Sequence, residues 1–158
     1  MERVPMLAEG YEKLTADLQY LRQERPKIVD AIEEARTHGD LAENAEYHAA
    51  KERQGQIEAR LRQLEDRLAR AQVIDPREQS GERVVFGATV VLVDIESEER
   101  ITYTIVGEDE ADVSQGMISV TSPVARAIMG REEGSSVQVR VPKGMRELEI
   151  LEVRFEGA

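Results

Sequence analysis

Asp40 and Glu43 stand three residues apart in the stretch THGDLAENAEYHAAKERQ, residues 37–54, with Arg36 just before it and Lys51 inside it. Carboxylates are hard oxygen donors, and Mg²⁺ is often held by only one or two of them together with the phosphates of a substrate. Two carboxylates alone make an incomplete site. The cations Arg36 and Lys51 can form a small patch beside them. Plainer roles are open to the same residues. Gly39 can end one helix, and Asp40 with Glu43 three positions later can cap the next. Arg36 complements the dipole of a last helical turn, and Lys51 fits an ordinary solvated face. A capping carboxylate keeps a free oxygen, so the two readings are compatible. His38 and His48 flank the same turn, but two imidazoles without a third ligand hold zinc weakly, and packed or solvated histidines are expected.

The flanking segments must position these side chains. Leu7, Tyr11, Leu14, Leu18, Leu21, Ile28, Ile32 and Ala35 recur at spacings of four and three, with only Arg25 breaking the stripe. The same alternation returns at Tyr47, Ala50, Gln54, Ile57, Leu61, Leu64, Leu68 and Ala71. This is the pattern of a coiled-coil seam. Two helices of roughly 30 residues joined by a short turn run antiparallel, and at about 1.5 Å per residue they make a hairpin some 45 Å long. Residues 1–75 are therefore read as a coiled-coil hairpin with an acidic tip near 38–44. Pro26 predicts a kink or loosening near Arg22 to Pro26. Gly55 predicts a weak spot in the second helix where the partner helix comes close.

The period changes in VIDPREQSGERVVFG, a linker composition rich in turn formers. Residues 76–158 follow as a second domain. ATVVLVDI, RITYTIVG, SSVQVRVP and RELEILEVRF read as four main strands. TSPVARAIMG reads as a short helix with Ser122 at the N-cap, Pro123 at the first helical position and Gly130 past the end. The fold class is α+β: an antiparallel helical hairpin followed by a small antiparallel sheet carrying one short helix. The acidic runs ESEER and GEDEAD read as exposed turns.

Composition narrows the function. The net charge is -11, from 21 basic and 32 acidic residues, which argues against broad gripping of free nucleic acid. Two Phe, four Tyr and no Trp supply few platforms for stacking bases, so any RNA contact is local. The absence of cysteine excludes thiolate metal sites, disulfides and a cysteine nucleophile. No apolar run approaches the roughly 20 residues of a membrane span, and the first residues lack the apolar core of a signal peptide, so a cytoplasmic protein without membrane partners is expected. No phosphate loop and no nucleophile with a neighbouring base can be assembled, and no small-molecule substrate is expected.

EARTHGDLAENAEYHAAKERQGQIEARL closely resembles the tip of the bacterial transcript cleavage factors, the Gre family. RPKIVDAIEEAR, LEDRLARAQVID and ISVTSPVARAIMGREEGSSVQVRVPKGMRELEILEV resemble the same family in the same order, so the likeness spans nearly the whole chain. It implies a C-terminal domain similar to the FK506-binding-protein fold that docks on bacterial RNA polymerase, and a hairpin inserted through the secondary channel. It implies that Asp40 and Glu43 help hold a Mg²⁺ shared with the polymerase, with no cofactor bound by the chain alone. Arg36 and Lys51 would handle the extruded 3′ end of the nascent RNA. The chain would then not be an enzyme but an activator of the polymerase's own endonuclease. A channel-blocking inhibitor and a non-catalytic coiled-coil adaptor share the architecture and remain open. Prolyl isomerase activity is not expected, because the second domain has only Phe86, Tyr103 and Phe155 as aromatics, too few for an aromatic-lined pocket.

Overall fold

A computed structural model of the chain describes residues 2–37, 39 and 44–156. They form two compact units, one of Tyr11–Arg70 and one made of Glu2–Gly10 together with the chain from Ala71 onward.

The first unit is the helical hairpin. Helix α1 spans Ala8–Arg36, its first three residues belonging to the second unit, and helix α2 spans Ala45–Ala69. The heptad stripes supply the core: Leu14, Leu18, Ile32 and Ala35 on α1 and Ala50, Ile57, Leu61 and Leu64 on α2 are buried. Tyr11 is 39% exposed and borders the seam without filling it. The antiparallel direction shows in ion pairs whose positions run in opposite senses: Arg22 with Glu65 at 3.5 Å and Arg25 with Glu58 at 2.8 Å. Arg25, the residue that interrupts the stripe, thus reaches across to a carboxylate of the partner helix. These exposed pairs contribute little stability and chiefly set register. Helix α1 continues through Pro26 as one element, although proline cannot donate to the Arg22 carbonyl. At Gly55 the structure departs from the sequence expectation, because a Cβ there would meet no atom within 4 Å. The glycine faces open space, not the partner helix.

In the second unit, β1 (Val4–Met6) pairs in parallel with β2 (Ala71–Val73). Backbone pairing thus draws the first residues and the stretch after Arg70 into this unit. Leu7 accordingly packs in the core of this unit and not in the helical seam. The main sheet contains β3 (Thr89–Asp94), β4 (Arg100–Val106), β5 (Met117–Ser119), β6 (Ser136–Val141) and β7 (Gly144–Arg154) in the order β5-β4-β3-β7-β6. All neighbours are antiparallel except β4 and β5. The fifth, parallel strand was not among the four read from the pattern: three residues are too few for an alternation to show. A bulge between Val91 and Leu92 places one extra residue, Leu151, on β7. The bulge explains why the buried residues of β7 run Leu148, Ile150, Val153 and not at a constant period of two.

Helix α3 (Pro123–Ile128) buries Ala125 and Ile128, and the Ser122 hydroxyl accepts from the Ala125 amide at 3.3 Å, the cap expected from the sequence. Asp94 ties the β3–β4 turn to β7. Its carboxylate accepts from Arg146 Nε at 2.7 Å and from the Glu96 and Ser97 amides, and chiefly the Arg146 bond holds its pKa below the ordinary value.

Glu110 corrects the reading of GEDEAD as a wholly exposed turn. Its half-buried carboxylate accepts from the Leu7 amide at 3.0 Å and the Gly107 amide at 3.1 Å, and also bonds the Gly10 amide. It thereby satisfies open N–H groups at the start of α1 from 103 residues away. Gly10 leaves room for this contact, since a Cβ would lie 2.5 Å from the Glu110 carboxyl group and would force that side chain to shift.

Two outcomes follow from this packing. Gly55→Ala is expected to raise stability by about 0.5–1 kcal/mol, because it improves helix propensity without a clash. Urea unfolding measures this, and a loss would mean that the partner helix does crowd the site. Burial outweighs the three amide bonds and raises the Glu110 pKa above its ordinary 4.5. The associated stability is therefore fully present below about pH 4.5 and is lost as pH rises through the raised value. The stability of the parent relative to Glu110→Gln should fall with pH in that window. A difference that grows with pH would show that the amides outweigh burial.

Candidate functional site

The turn of the hairpin is built by two caps. Helix α1 ends at Arg36, after which Thr37 bonds back to the Glu34 carbonyl twice, through its amide at 3.0 Å and its hydroxyl at 2.6 Å. Gly39, with φ of +100°, lies beyond this last turn in a conformation that side-chain-bearing residues rarely adopt. Helix α2 begins at Ala45 with Asn44 at its N-cap, and the Asn44 Oδ1 accepts from the Tyr47 amide at 3.0 Å. The capping role expected of Asp40 with Glu43 is thus corrected: Asn44 fills it. The physical reason is the second half of the same side chain. Asn44 Nδ2 donates to the Ala35 carbonyl of α1 at 2.6 Å, which an aspartate, having no donor when ionised, could not do.

Asp40 and Glu43 lie outside the described residues, as does His38. They precede Asn44 in the chain, so neither belongs to α2. Arg36 and Lys51 are exposed on opposite helices, Arg36 as the last residue of α1 and Lys51 in the second turn of α2. Neither makes an ion pair with another described residue. Arg36 is also in the last turn, where its charge complements the helix dipole. The Tyr47 and His48 rings meet edge to face with centroids 5.6 Å apart. Among the described residues no group of three or more His, Asp or Glu side chains is placed to hold a metal ion.

In the second unit, an open depression of about 550 Å³ lies between the β3–β4 and β6–β7 turns, lined among others by Asp94, Val141, Pro142, Lys143, Met145 and Arg146. No aromatic side chain lines it. Phe86 is buried in the core of the unit, with Tyr103 and Phe155 packed against it. Glu110 and Asn44 are the residues that sequence reasoning missed. Asn44 had a visible signal, being an Asn immediately before a clean helical stripe; Glu110 had none at the local level. Among the described residues no helix is long and apolar enough to cross a membrane.

Two family models match the chain, one described as transcription elongation factor, N-terminal, over residues 4–73, and one as transcription elongation factor, GreA/GreB, C-term, over residues 78–155. Transcription elongation factor GreA of Sphingopyxis alaskensis is 59% identical over 155 residues, covering 98% of this chain and 98% of the relative. GreA of Novosphingobium aromaticivorans is 57% identical with the same shares covered. Among solved structures, GreA factor homolog 1 (Gfh1) of Thermus thermophilus is similar at 32% identity and a TM-score of 0.45, covering 97% of this chain and 99% of that one.

Proposed function

This chain belongs to the GreA/GreB family of transcription elongation factors, and we propose that within it the chain stimulates RNA polymerase to cleave its own backtracked transcript. The single observation that carries this reading is the cap of α2. With Asn44 at the N-cap, Asp40 and Glu43 are relieved of the structural duty that was their plainest explanation. The two carboxylates, which lie outside the described residues, are then read as oxygen donors for a cation.

The donor set suits Mg²⁺, a hard cation content with one or two carboxylates when phosphates complete its shell. In this reading Asp40 and Glu43 hold an ion shared with the polymerase. The chemistry supplied by bound Mg²⁺ is activation of water and stabilisation of the leaving oxygen in phosphodiester hydrolysis. The chain's own part is placement. The hairpin, with helices of 29 and 25 residues, carries the carboxylates about 40 Å from its root at ~1.5 Å per residue, far enough to traverse a channel. Arg36 and Lys51 offer cations to the phosphates of the RNA 3′ end. Docking on the polymerase falls to the C-terminal unit, leaving the hairpin to enter the secondary channel. An acidic chain, with net charge -11, has little nonspecific affinity for nucleic acid and relies on the polymerase for its RNA encounter.

The test adds the full chain to a stalled elongation complex with end-labelled RNA and Mg²⁺. Shortened RNA is expected. Slowed synthesis without cleavage would mean a channel-blocking inhibitor, and unchanged RNA an adaptor. Asp40→Asn and Glu43→Gln should each reduce stimulated cleavage by at least tenfold, with melting temperature and competition for polymerase nearly unchanged, because the helix cap is elsewhere. Full cleavage by both variants would remove these carboxylates from the mechanism. Lys51→Ala should keep the fold, Ala being the better helix former, yet weaken cleavage and flatten its salt dependence. Equal cleavage across the salt range would leave Lys51 as a solvated surface residue.

A further inference from the structure

The turn of the hairpin must hold its two helix ends at a set separation, and one side chain spans them. Asn44 accepts from the Tyr47 amide in the first turn of α2 and donates to the Ala35 carbonyl in the last turn of α1. These are the residues that flank segment 37–43 on both sides. The seam at this end includes the small residues Ala35 and Ala50, both buried. An N-cap alone needs only an acceptor, and Ser or Asp supplies that as well as Asn. The donor half of the amide is surplus to capping.

We propose that Asn44 is a positioning residue of the tip: its side-chain amide clamps the end of α1 to the start of α2 and so fixes where the segment bearing Asp40 and Glu43 leaves one helix and joins the other. This deepens the reading of the tip as a donor of Mg²⁺ ligands and rests on it. Without the clamp, the last turn of α1 and the first of α2 fray independently, since helix ends are the least stable part of a helix. Ligands held by a looser segment spend less time in a productive arrangement, which costs catalytic effect without removing any ligand.

Asn44→Ser and Asn44→Asp both retain an N-cap acceptor and both lose the bond to Ala35, Ser because it is too short and Asp because it has no proton to donate. Asp additionally places a carboxylate against a carbonyl oxygen. Each variant is expected to fold with the parent's helix content and to compete equally for polymerase. Maximal stimulated cleavage should fall roughly fivefold, the factor that one ordinary hydrogen bond is worth, and the Mg²⁺ concentration for half-maximal cleavage should rise. The concentration of factor at half-maximum should not move. Parental cleavage by both variants would reduce Asn44 to a cap, and so would a loss confined to polymerase affinity. An independent measurement separates this inference from the functional reading. Exchange of the Asn44 side-chain amide protons, followed by NMR on the full chain, should be slowed in the clamp. Slow exchange in a chain that fails to stimulate cleavage would overturn the function and leave the clamp standing. Exchange at the rate of a solvated asparagine would overturn the clamp.

Discussion

A two-helix hairpin buries only one stripe of each helix, and this constraint governs the rest of the molecule. Among the described residues, eight buried side chains of the stripes form the seam of the first unit, two of them alanines. Apolar burial on that scale holds the helices together but does not secure their ends, where backbone groups lack intrahelical partners. Both ends of α1 are therefore tied by a side chain that belongs to another part of the chain. At its start the Glu110 carboxylate takes the Leu7 and Gly10 amides; at its finish the Asn44 amide takes the Ala35 carbonyl.

The two ties differ in chemistry as their settings require. Glu110 is half-buried, and its charge is disfavoured by burial even though three amides converge on it. Two glycines beside it leave it room, because a Cβ on Gly10 or Gly107 would come within 3 Å of the carboxyl group. Asn44 is neutral and both accepts and donates, so it can satisfy an amide of one helix and a carbonyl of the other without adding charge.

The second unit reaches its stability by a more ordinary route. A five-stranded sheet encloses an apolar core with α3, and its buried polar residues Thr89 and Asp94 both find partners: Thr89 and Thr104 hydroxyls lie 3.0 Å apart across β3 and β4, and Asp94 bonds Arg146. The parallel β1–β2 pair belongs to this unit, so the chain segments just before α1 and just after α2 are joined by backbone hydrogen bonds.

Features that depend on period and on local turn chemistry are legible along the chain alone. The spacing of four and three marked the seam of both helices, and the burial of Leu14, Leu18, Ile57, Leu61 and Leu64 follows it. Ser122, Pro123 and Gly130 bounded α3, and the long resemblance identified the family. Only tertiary structure decided which polar residue served which backbone group. Asp40 and Asn44 both suit an N-cap by type, and the choice fell to Asn44 because a carbonyl of the opposite helix stood within reach of its amide protons. Glu110 belonged to an acidic run indistinguishable from a surface turn until folding brought it to residues 103 positions away. Leu7 continued the heptad, yet the β1–β2 pairing carried it into the core of the other unit. Hydrophobic period is a property of neighbouring residues along the chain, whereas the partner of a polar group is set by whatever the fold places within about 3 Å of it, and no local pattern records that.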